Sequence, residues 1–214
     1  MDFEVFTLER IEEAINQLKN GGMVIVTDSE SRENEGDLIA LADTITPEQI
    51  TFMAVYGRGL ICAPISEELA EKLSLPPMVT NNTDHHQTAF TVSVDYIDTT
   101  TGISAYERAK TIQKLVDENT KSTDLRRPGH IFPLVAKEGG LLVREGHTEA
   151  SIELAKLCGR NEAAVICEIM GDDGFMLSGK GLSDFAEKHH LLIISIEMLK
   201  AYLIKNKEIG GITR

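Results

Sequence analysis

The sequence has few cysteines, and this scarcity excludes several small-protein architectures. Its 214 residues include three cysteines, Cys62, Cys158 and Cys167, none of them in a Cys-x-x-Cys pair. An odd number of widely spaced cysteines does not support a disulfide framework or a structural zinc site. We therefore expect a reducing compartment, and the cytoplasm by elimination, because the acidic segment 1–4 has no apolar run typical of a signal peptide.

Long hydrophobic runs and an excess of positive charge are also absent. The longest apolar runs, such as 191–194, are too short to cross a bilayer, so we predict no membrane partner. Asp and Glu number 34 and Lys and Arg 21, which gives a formal net charge of −13. This balance argues against nucleic acid as a partner. It would also repel an anionic substrate unless the site supplies local positive charge.

The order of the predicted elements indicates one domain over residues 1–214. Apolar residues at helical spacing predict a first helix that ends at Gly21, and further helices are predicted to begin at Thr46, Ser66 and Ser104. Buried strands are predicted at 23–27, 38–42, 163–169 and 191–196. Because helices and strands interleave without a strict βαβ rhythm, we predict an α/β (α+β) fold. It would have a mixed β-sheet with flanking helices and be neither a Rossmann fold nor a TIM barrel.

Three further segments are predicted to be extended. Alternating residues indicate a half-buried strand at 88–94, and segments 131–135 and 141–144 flank a glycine pair typical of a β-hairpin turn. Such a hairpin would place His130 roughly opposite His147, at its open end.

Five carboxylates lie within the ten residues from Asp28 to Asp37, where Arg32 is the only cation. In an extended chain, Glu33, Glu35 and Asp37 would lie on one side. Carboxylates so close together raise one another's pKa unless a cation neutralises them, and hard oxygen ligands suit Mg²⁺ or Mn²⁺. The segment is thus a candidate metal and substrate site. A solvated acidic loop is the alternative, and composition alone favours it.

A second polar cluster, Arg144-Glu145-Gly146-His147-Thr148, lies where a predicted strand ends and a helix begins. Free backbone N–H groups, the helix macrodipole and a forked guanidinium could together bind a phosphate. Plain helix capping is the alternative, at even odds.

Two other groups of titratable residues lie outside these clusters. Glu168 ends an apolar strand, where burial would raise its pKa and suit it to acid–base work, although a salt-bridged strand end is more common. His85 and His86 lie in a polar loop that we expect to be outside the site.

Four segments together carry a family resemblance, and they occur in this order: Arg32-Glu33-Asn34-Glu35-Gly36-Asp37, Thr100-Thr101-Gly102-Ile103-Ser104, Arg127-Pro128-Gly129-His130 and Arg144-x-Gly146-His147-Thr148-Glu149-Ala150. Over most of its length the chain resembles 3,4-dihydroxy-2-butanone 4-phosphate synthase of riboflavin biosynthesis. The resemblance implies a lyase that converts D-ribulose 5-phosphate to L-3,4-dihydroxy-2-butanone 4-phosphate and formate. It also implies dependence on Mg²⁺ or Mn²⁺ and a homodimer.

The resemblance further implies a role for each matching residue. Glu33 and His147 would hold the metal, and His130 and Glu168 would be catalytic. The substrate would be bound by Arg32, Glu33, Asp37, Arg144, Glu145, Gly146, His147, Thr148 and Glu168. Cys62 resembles a position that lines the site. The metal would polarise the ketone and stabilise an enediolate, before a skeletal rearrangement releases C4 as formate.

The chain departs from the family pattern in one place. The family usually has Asp-Asp-Glu-Asp before its Arg-Glu pair, whereas segment 28–31 is Asp-Ser-Glu-Ser, which puts a metal role for positions 29 and 31 in doubt. Many family members also carry a C-terminal GTP cyclohydrolase II domain. Because the zinc cysteines of that domain are absent from this sequence, we expect one activity here.

Two other functions fit the same residues. A metal-dependent sugar-phosphate isomerase or aldolase would use similar groups and release no formate. A non-enzymatic acidic module would bind Mg²⁺ without turnover.

Overall fold

A mixed seven-stranded β-sheet organises residues 3–211, which are the part of the chain described by the computed structural model. Its strands are β1 Val24–Thr27, β2 Gly36–Leu41, β3 Cys62–Ile65, β4 Val94–Tyr96, β5 Leu125–Val135, β6 Ala164–Glu168 and β7 Leu192–Ser195. They lie in the order β4-β5-β3-β6-β2-β1-β7. Strand β1 pairs antiparallel with β2 and parallel with β7, so the predicted mixed sheet is confirmed and no barrel forms among the described strands.

Helices cover both faces of this sheet. They are α1 Phe3–Lys19, α2 Pro47–Phe52, α3 Glu67–Lys72, α4 Ala105–Val116, α5 His147–Leu157, α6 Gly179–His189 and α7 Ile196–Gly211. A π-helical turn, Met53–Gly57, extends α2. Within residues 3–211, no helix combines the length and apolar character that a membrane span requires. Residues 1 and 2 of the acidic segment 1–4 are outside the described part of the chain.

Each central strand is buried on both faces, which is why the strands are apolar throughout. In β1, Ile25 packs into the core beneath α2, α4 and α6, whereas Val24 and Val26 pack into the core beneath α1, α5 and α7. Burying each such aliphatic side chain contributes about 1.5–3 kcal/mol. The two-residue period of the strands therefore decides which face, and which set of helices, each side chain meets.

Local sequence signals located the helix starts correctly. The side-chain oxygens of Thr46, Ser66 and Ser104 each accept a hydrogen bond from a backbone N–H in the first helical turn, as the capping patterns predict. The strand predicted at 88–94 is wrong, because Phe90 and Thr91 form only isolated bridges and β4 begins at Val94.

The predicted hairpin after β5 is also wrong. Gly139 and Gly140 both have positive φ, 85° and 64°, and the chain continues as a 3-10 turn, Gly140–Leu142, instead of a strand. In addition, the Lys137 N–H donates to Glu149 at 2.9 Å, which draws the chain toward α5. His130 and His147 are therefore not opposite each other across a hairpin.

Candidate functional site

The register of two central strands brings two carboxylates together. Asp37 of β2 is paired directly opposite Glu168 of β6. Residues two apart on a strand point to the same face of the sheet. Asp37 therefore faces the same side as Ile39, and Glu168 the same side as Ile166, which is the side on which α5 packs. A cavity of about 330 Å³ opens there. It is lined by Arg32, Glu33, Glu35, Asp37, Cys62, His86, Thr88, Phe90, Leu134, Arg144, His147, Thr148, Ile166 and Glu168.

The acidic loop between β1 and β2 is held in shape by Asp28. Its carboxylate accepts hydrogen bonds from the backbone N–H groups of Glu33 and Glu35, both at 2.9 Å, and from the Arg32 guanidinium at 3.1 Å. The side chain is 1% exposed. Because these bonds occupy both of its oxygens, Asp28 orders the loop that presents Glu33 to the cavity.

Glu33 and His147 form a candidate metal centre. The Glu33 Oε2 atom lies 3.5 Å from His147 Nδ1, which is also 3.6 Å from Asp37 Oδ1. Ligand atoms of Asp28, Glu33 and His147 all lie within 4.8 Å of one another. In the described part of the chain, His147 Nε2 and Asp37 Oδ1 are buried without a hydrogen-bond partner. Carboxylate and imidazole groups with unsatisfied buried atoms fit a divalent cation and its bound water.

The charges of this centre are strongly coupled. Burial alone would raise the pKa of Glu33, but a hydrogen bond to His147 and the charge of Arg32 lower it to about 2. Burial would lower the pKa of His147, but the negative charges around it, Asp37 foremost, raise it to about 9. Burial raises the pKa of Asp37 to about 7. Without a metal, a protonated His147 therefore acts as the cation of the cluster at neutral pH.

Arg144 is positioned at the rim of the cavity by a buried carboxylate. Its Nη1 atom donates to Glu149 at 2.6 Å, and Nη2 donates to the His86 carbonyl at 3.1 Å. Glu149 is 1% exposed. A Cβ at Gly146 would lie 2.4 Å from Arg144 Nη1, so a larger residue there would displace this guanidinium from its present position. Gly146 also precedes α5, whose first-turn N–H groups have no partner within the helix.

Glu168 is held by the backbone that follows the π-helical turn. Its Oε2 atom accepts a hydrogen bond from the Leu60 N–H at 2.8 Å. A Cβ at Gly59 would lie 2.4 Å from the same oxygen, and Arg58 just before it has φ 70°. Glycine at position 59 thus allows the chain to pass close enough to bind the carboxylate.

The structure brings together most of the residues predicted for the site. Around the cavity lie Arg32, Glu33, Asp37, Arg144, His147, Thr148 and Glu168, with Gly146 beneath Arg144. Cys62 also lines it, and burial raises the pKa of its thiol, which keeps the thiol neutral. Glu145 is not among the residues that line the cavity: its carboxylate is 55% exposed and pairs with Lys200.

Two histidines are placed differently from the prediction. His86, which the sequence had assigned to a loop outside the site, lines the cavity, and its Nε2 lies 3.8 Å from Glu33 Oε1. Polar loops have no periodicity, so no local signal marked it. His130 does not line this cavity; it lies on β5 and binds Asp95 at 2.8 Å.

A larger and mostly apolar cavity of about 1140 Å³ lies beside the candidate site under segment 75–91, and Thr88 and Phe90 line both cavities. Of the titratable residues that line it, Glu67, Glu71 and Asp84, none belongs to the candidate metal cluster. The smaller cavity is therefore the one that holds the chemistry.

Known proteins of one family match this chain over most of its length. Residues 12–202 match the family described as 3,4-dihydroxy-2-butanone 4-phosphate synthase. The riboflavin biosynthesis protein RibBA of Bacillus mycoides (strain KBAB4) is 60% identical over 193 residues, which are 90% of this chain and 49% of that protein. RibBA of Bacillus velezensis (strain DSM 23117 / BGSC 10A6 / LMG 26770 / FZB42) is 57% identical over 192 residues, 90% of this chain and 48% of that protein. The chain therefore spans about half the length of these curated relatives.

Solved structures with the same fold are also similar in sequence. RibBX of A. baumannii, a two-domain 3,4-dihydroxy-2-butanone 4-phosphate synthase, superposes with a TM-score of 0.86 at 47% identity, covering 89% of this chain and 56% of that one. A 3,4-dihydroxy-2-butanone 4-phosphate synthase in complex with two magnesium ions gives a TM-score of 0.87 at 43% identity, covering 92% of this chain and 97% of that one.

Proposed function

The chain belongs to the 3,4-dihydroxy-2-butanone 4-phosphate synthase family, and we propose that it converts D-ribulose 5-phosphate to L-3,4-dihydroxy-2-butanone 4-phosphate and formate in riboflavin biosynthesis. One observation carries the proposal: a single cavity holds a carboxylate–imidazole pair suited to a metal, a forked guanidinium and a further carboxylate. These are Glu33 with His147, Arg144 and Glu168. A metal-assisted rearrangement of a sugar phosphate can use each of these groups.

We further propose that Glu33 and His147 hold Mg²⁺ or Mn²⁺. Their facing ligand atoms, Glu33 Oε2 and His147 Nδ1, lie 3.5 Å apart, so one cation can bind both. The similar structure that contains two magnesium ions supports the choice of metal. When bound, the cation supplies a Lewis acid that polarises the substrate carbonyl. Arg32, which donates to Glu33 at 2.6 Å, keeps this carboxylate aligned.

Metal affinity should depend on pH, because the cation must displace a proton. His147 has its pKa raised to about 9 and is protonated at neutral pH, whereas Glu33, at about 2, is already ionised. We expect the apparent affinity for Mg²⁺ to rise about tenfold per pH unit from about pH 6 and to level off near pH 9. Isothermal titration calorimetry measures this directly. An affinity that is constant from pH 6 to 8 would contradict the assignment of His147.

We propose that the substrate phosphate binds at the start of α5. Arg144 offers a cationic donor, the backbone at Gly146 an N–H donor and the Thr148 hydroxyl an O–H donor. Glu145 would contribute through its backbone only, because its carboxylate pairs with Lys200. The substrate hydroxyls would then lie near Arg32 and Asp37, with Glu33, His147 and Glu168 completing the binding surface. Local positive charge would thus attract the anionic substrate to the site although the chain has a formal net charge of −13.

Replacing Arg144 tests the phosphate assignment. A hydrogen bond to a charged group contributes about 1.5–3 kcal/mol, so Arg144→Ala should raise KM by about 10- to 100-fold. If the guanidinium binds the ground and transition states equally, kcat should change little. Steady-state kinetics with D-ribulose 5-phosphate give both constants. Arg160→Ala, which removes an exposed arginine after α5, is the matched control. An unchanged KM in Arg144→Ala would place the phosphate elsewhere.

We propose that Glu168 and His130 carry the proton transfers, each worth about 10²–10⁴ in rate. Glu168 lines the cavity, whereas His130 lies on β5 with a side chain 43% exposed. We therefore propose a homodimer in which a second copy of the chain brings His130 to the cavity. The exposure of this imidazole supports the arrangement, since it leaves the ring accessible to another subunit. The cytoplasmic location and the absence of a nucleic-acid or membrane partner stay predictions.

One assay tests the proposed function against its rivals. The protein is incubated with D-ribulose 5-phosphate and Mg²⁺, with and without EDTA, and formate is measured. The proposal predicts that formate is released and that EDTA abolishes this release. An isomerase or aldolase would consume substrate and release no formate, and a metal-binding module would bind Mg²⁺ and leave the substrate intact.

A further inference from the structure

Two of the four family segments meet at a buried carboxylate that neither of them contains. Asp95 lies on β4, and its Oδ1 atom accepts a hydrogen bond from the backbone N–H of His130 at 2.8 Å. Its Oδ2 atom lies 2.8 Å from the ring Nδ1 of the same residue. One oxygen of Asp95 therefore holds the backbone of His130, and the other holds its imidazole.

Close packing leaves this carboxylate little freedom. The Asp95 side chain is 9% exposed. A Cβ at Gly102, which has φ 78°, would lie 2.0 Å from Asp95 Oδ2, and a Cβ at Gly129 would lie 2.0 Å from the backbone carbon of Val94. Both glycines therefore allow the backbone to approach β4 closely. The result is a fixed carboxylate beside His130.

The loop that carries Gly102 is itself anchored. Glu107, in the first turn of α4, accepts hydrogen bonds from the hydroxyls of Thr100 at 2.7 Å and Ser104 at 3.0 Å and from the Gly102 N–H at 3.1 Å. These bonds, those from Thr100 foremost, lower the pKa of Glu107 to about 2. An ionised Glu107 thus fixes the loop that packs against Asp95.

We infer that Asp95 is the positioning residue of His130, and that it selects the imidazole tautomer this residue needs to accept a proton. Because a carboxylate can only accept, the neutral ring must carry its proton on Nδ1, which leaves the Nε2 lone pair free. Within residues 3–211, no hydrogen bond is made to Nε2 of His130. The catalytic part of this inference rests on the proposed role of His130. The tautomer part does not.

The substitution Asp95→Asn separates positioning from simple structural support. Its amide oxygen can still accept the backbone N–H of His130, so the loop keeps that bond. Its amide nitrogen, however, would donate to Nδ1, which forces the ring proton onto Nε2 and removes the proton acceptor. A comparable change of the carboxylate behind a catalytic histidine lowers kcat by about 10⁴-fold in serine proteases without changing the fold.

The experiment combines side-chain NMR with kinetics on the 214-residue chain. Nitrogen-15 spectra of the histidine rings, recorded where the imidazole is neutral, should show the Nδ1–H tautomer for His130 in the wild type and the Nε2–H tautomer in Asp95→Asn. We expect kcat of Asp95→Asn to fall by about 10²-fold or more, with KM little changed. Asp98→Asn, an exposed aspartate two residues from β4, is the matched control and should change neither quantity.

The outcomes separate this inference from the proposed function. An Nε2–H tautomer in the wild type would overturn the inference without any variant, even if Asp95→Asn does not fold. A large loss of kcat in His130→Ala together with a nearly normal kcat in Asp95→Asn would also overturn the inference. If His130→Ala keeps its kcat, the proposed role of His130 is wrong, and the catalytic part of the inference is wrong with it, whatever the tautomer.

Discussion

Glu33→Gln is expected to lower kcat/KM by about 10³-fold. The substitution keeps the shape of the side chain and removes its charge, which leaves His147 as one ligand where the wild type has two. The amide also cannot form the charged bond that Arg32 makes at 2.6 Å in the wild type. Since a bound metal stabilises the charge of the transition state by several kcal/mol, losing it should remove most of the rate enhancement. The measurement is formate release at saturating Mg²⁺, with Mg²⁺ binding followed by calorimetry.

The control for this variant is Glu30→Gln, which removes an exposed carboxylate from the same loop. It should retain both turnover and Mg²⁺ affinity, because among the described residues Glu30 makes no bond to the metal cluster. His147→Ala should resemble Glu33→Gln. A nearly normal kcat in either ligand variant would mean that the metal lies elsewhere, even if the activity itself is present.

Glu168→Gln should give the second large effect, a fall in kcat of about 10²–10⁴-fold. The amide oxygen can still accept the Leu60 N–H that binds Glu168 at 2.8 Å, so the side chain should keep its position and lose only its capacity to take up a proton. We therefore expect KM to change much less than kcat, and Mg²⁺ affinity to stay close to the wild-type value.

Glu162→Gln, which changes an exposed glutamate near the other end of β6, controls for a general effect on that strand. If Glu168→Gln instead raises KM and leaves kcat intact, the carboxylate binds substrate and transfers no proton. Loss of Mg²⁺ binding in this variant would make Glu168 a metal ligand.

Local features of the fold were predictable from the sequence. The helix starts at Thr46, Ser66 and Ser104 follow from side-chain oxygens that bond to nearby N–H groups, and these bonds need no tertiary contact. The apolar strands were also recognisable. The strand order was not, because pairs such as β2 with β6 join segments more than a hundred residues apart, and nothing local records their register.

The candidate site was predictable in its residues more than in its geometry. Family segments singled out Glu33 and His147, but the register that places Asp37 opposite Glu168 is a property of the sheet. The predicted hairpin failed because two consecutive glycines at positive φ allow a 3-10 turn as readily as a β-turn. That error had placed His130 beside the metal ligands.

The most direct test of the central claim follows one carbon atom. D-ribulose 5-phosphate labelled with carbon-13 at C4 is incubated with the protein and Mg²⁺, and the products are observed by NMR. The proposed rearrangement predicts that the label appears in formate at the rate of substrate loss, and that EDTA and Glu33→Gln both suppress it. A label that stays in a phosphorylated product while substrate is consumed would contradict the account.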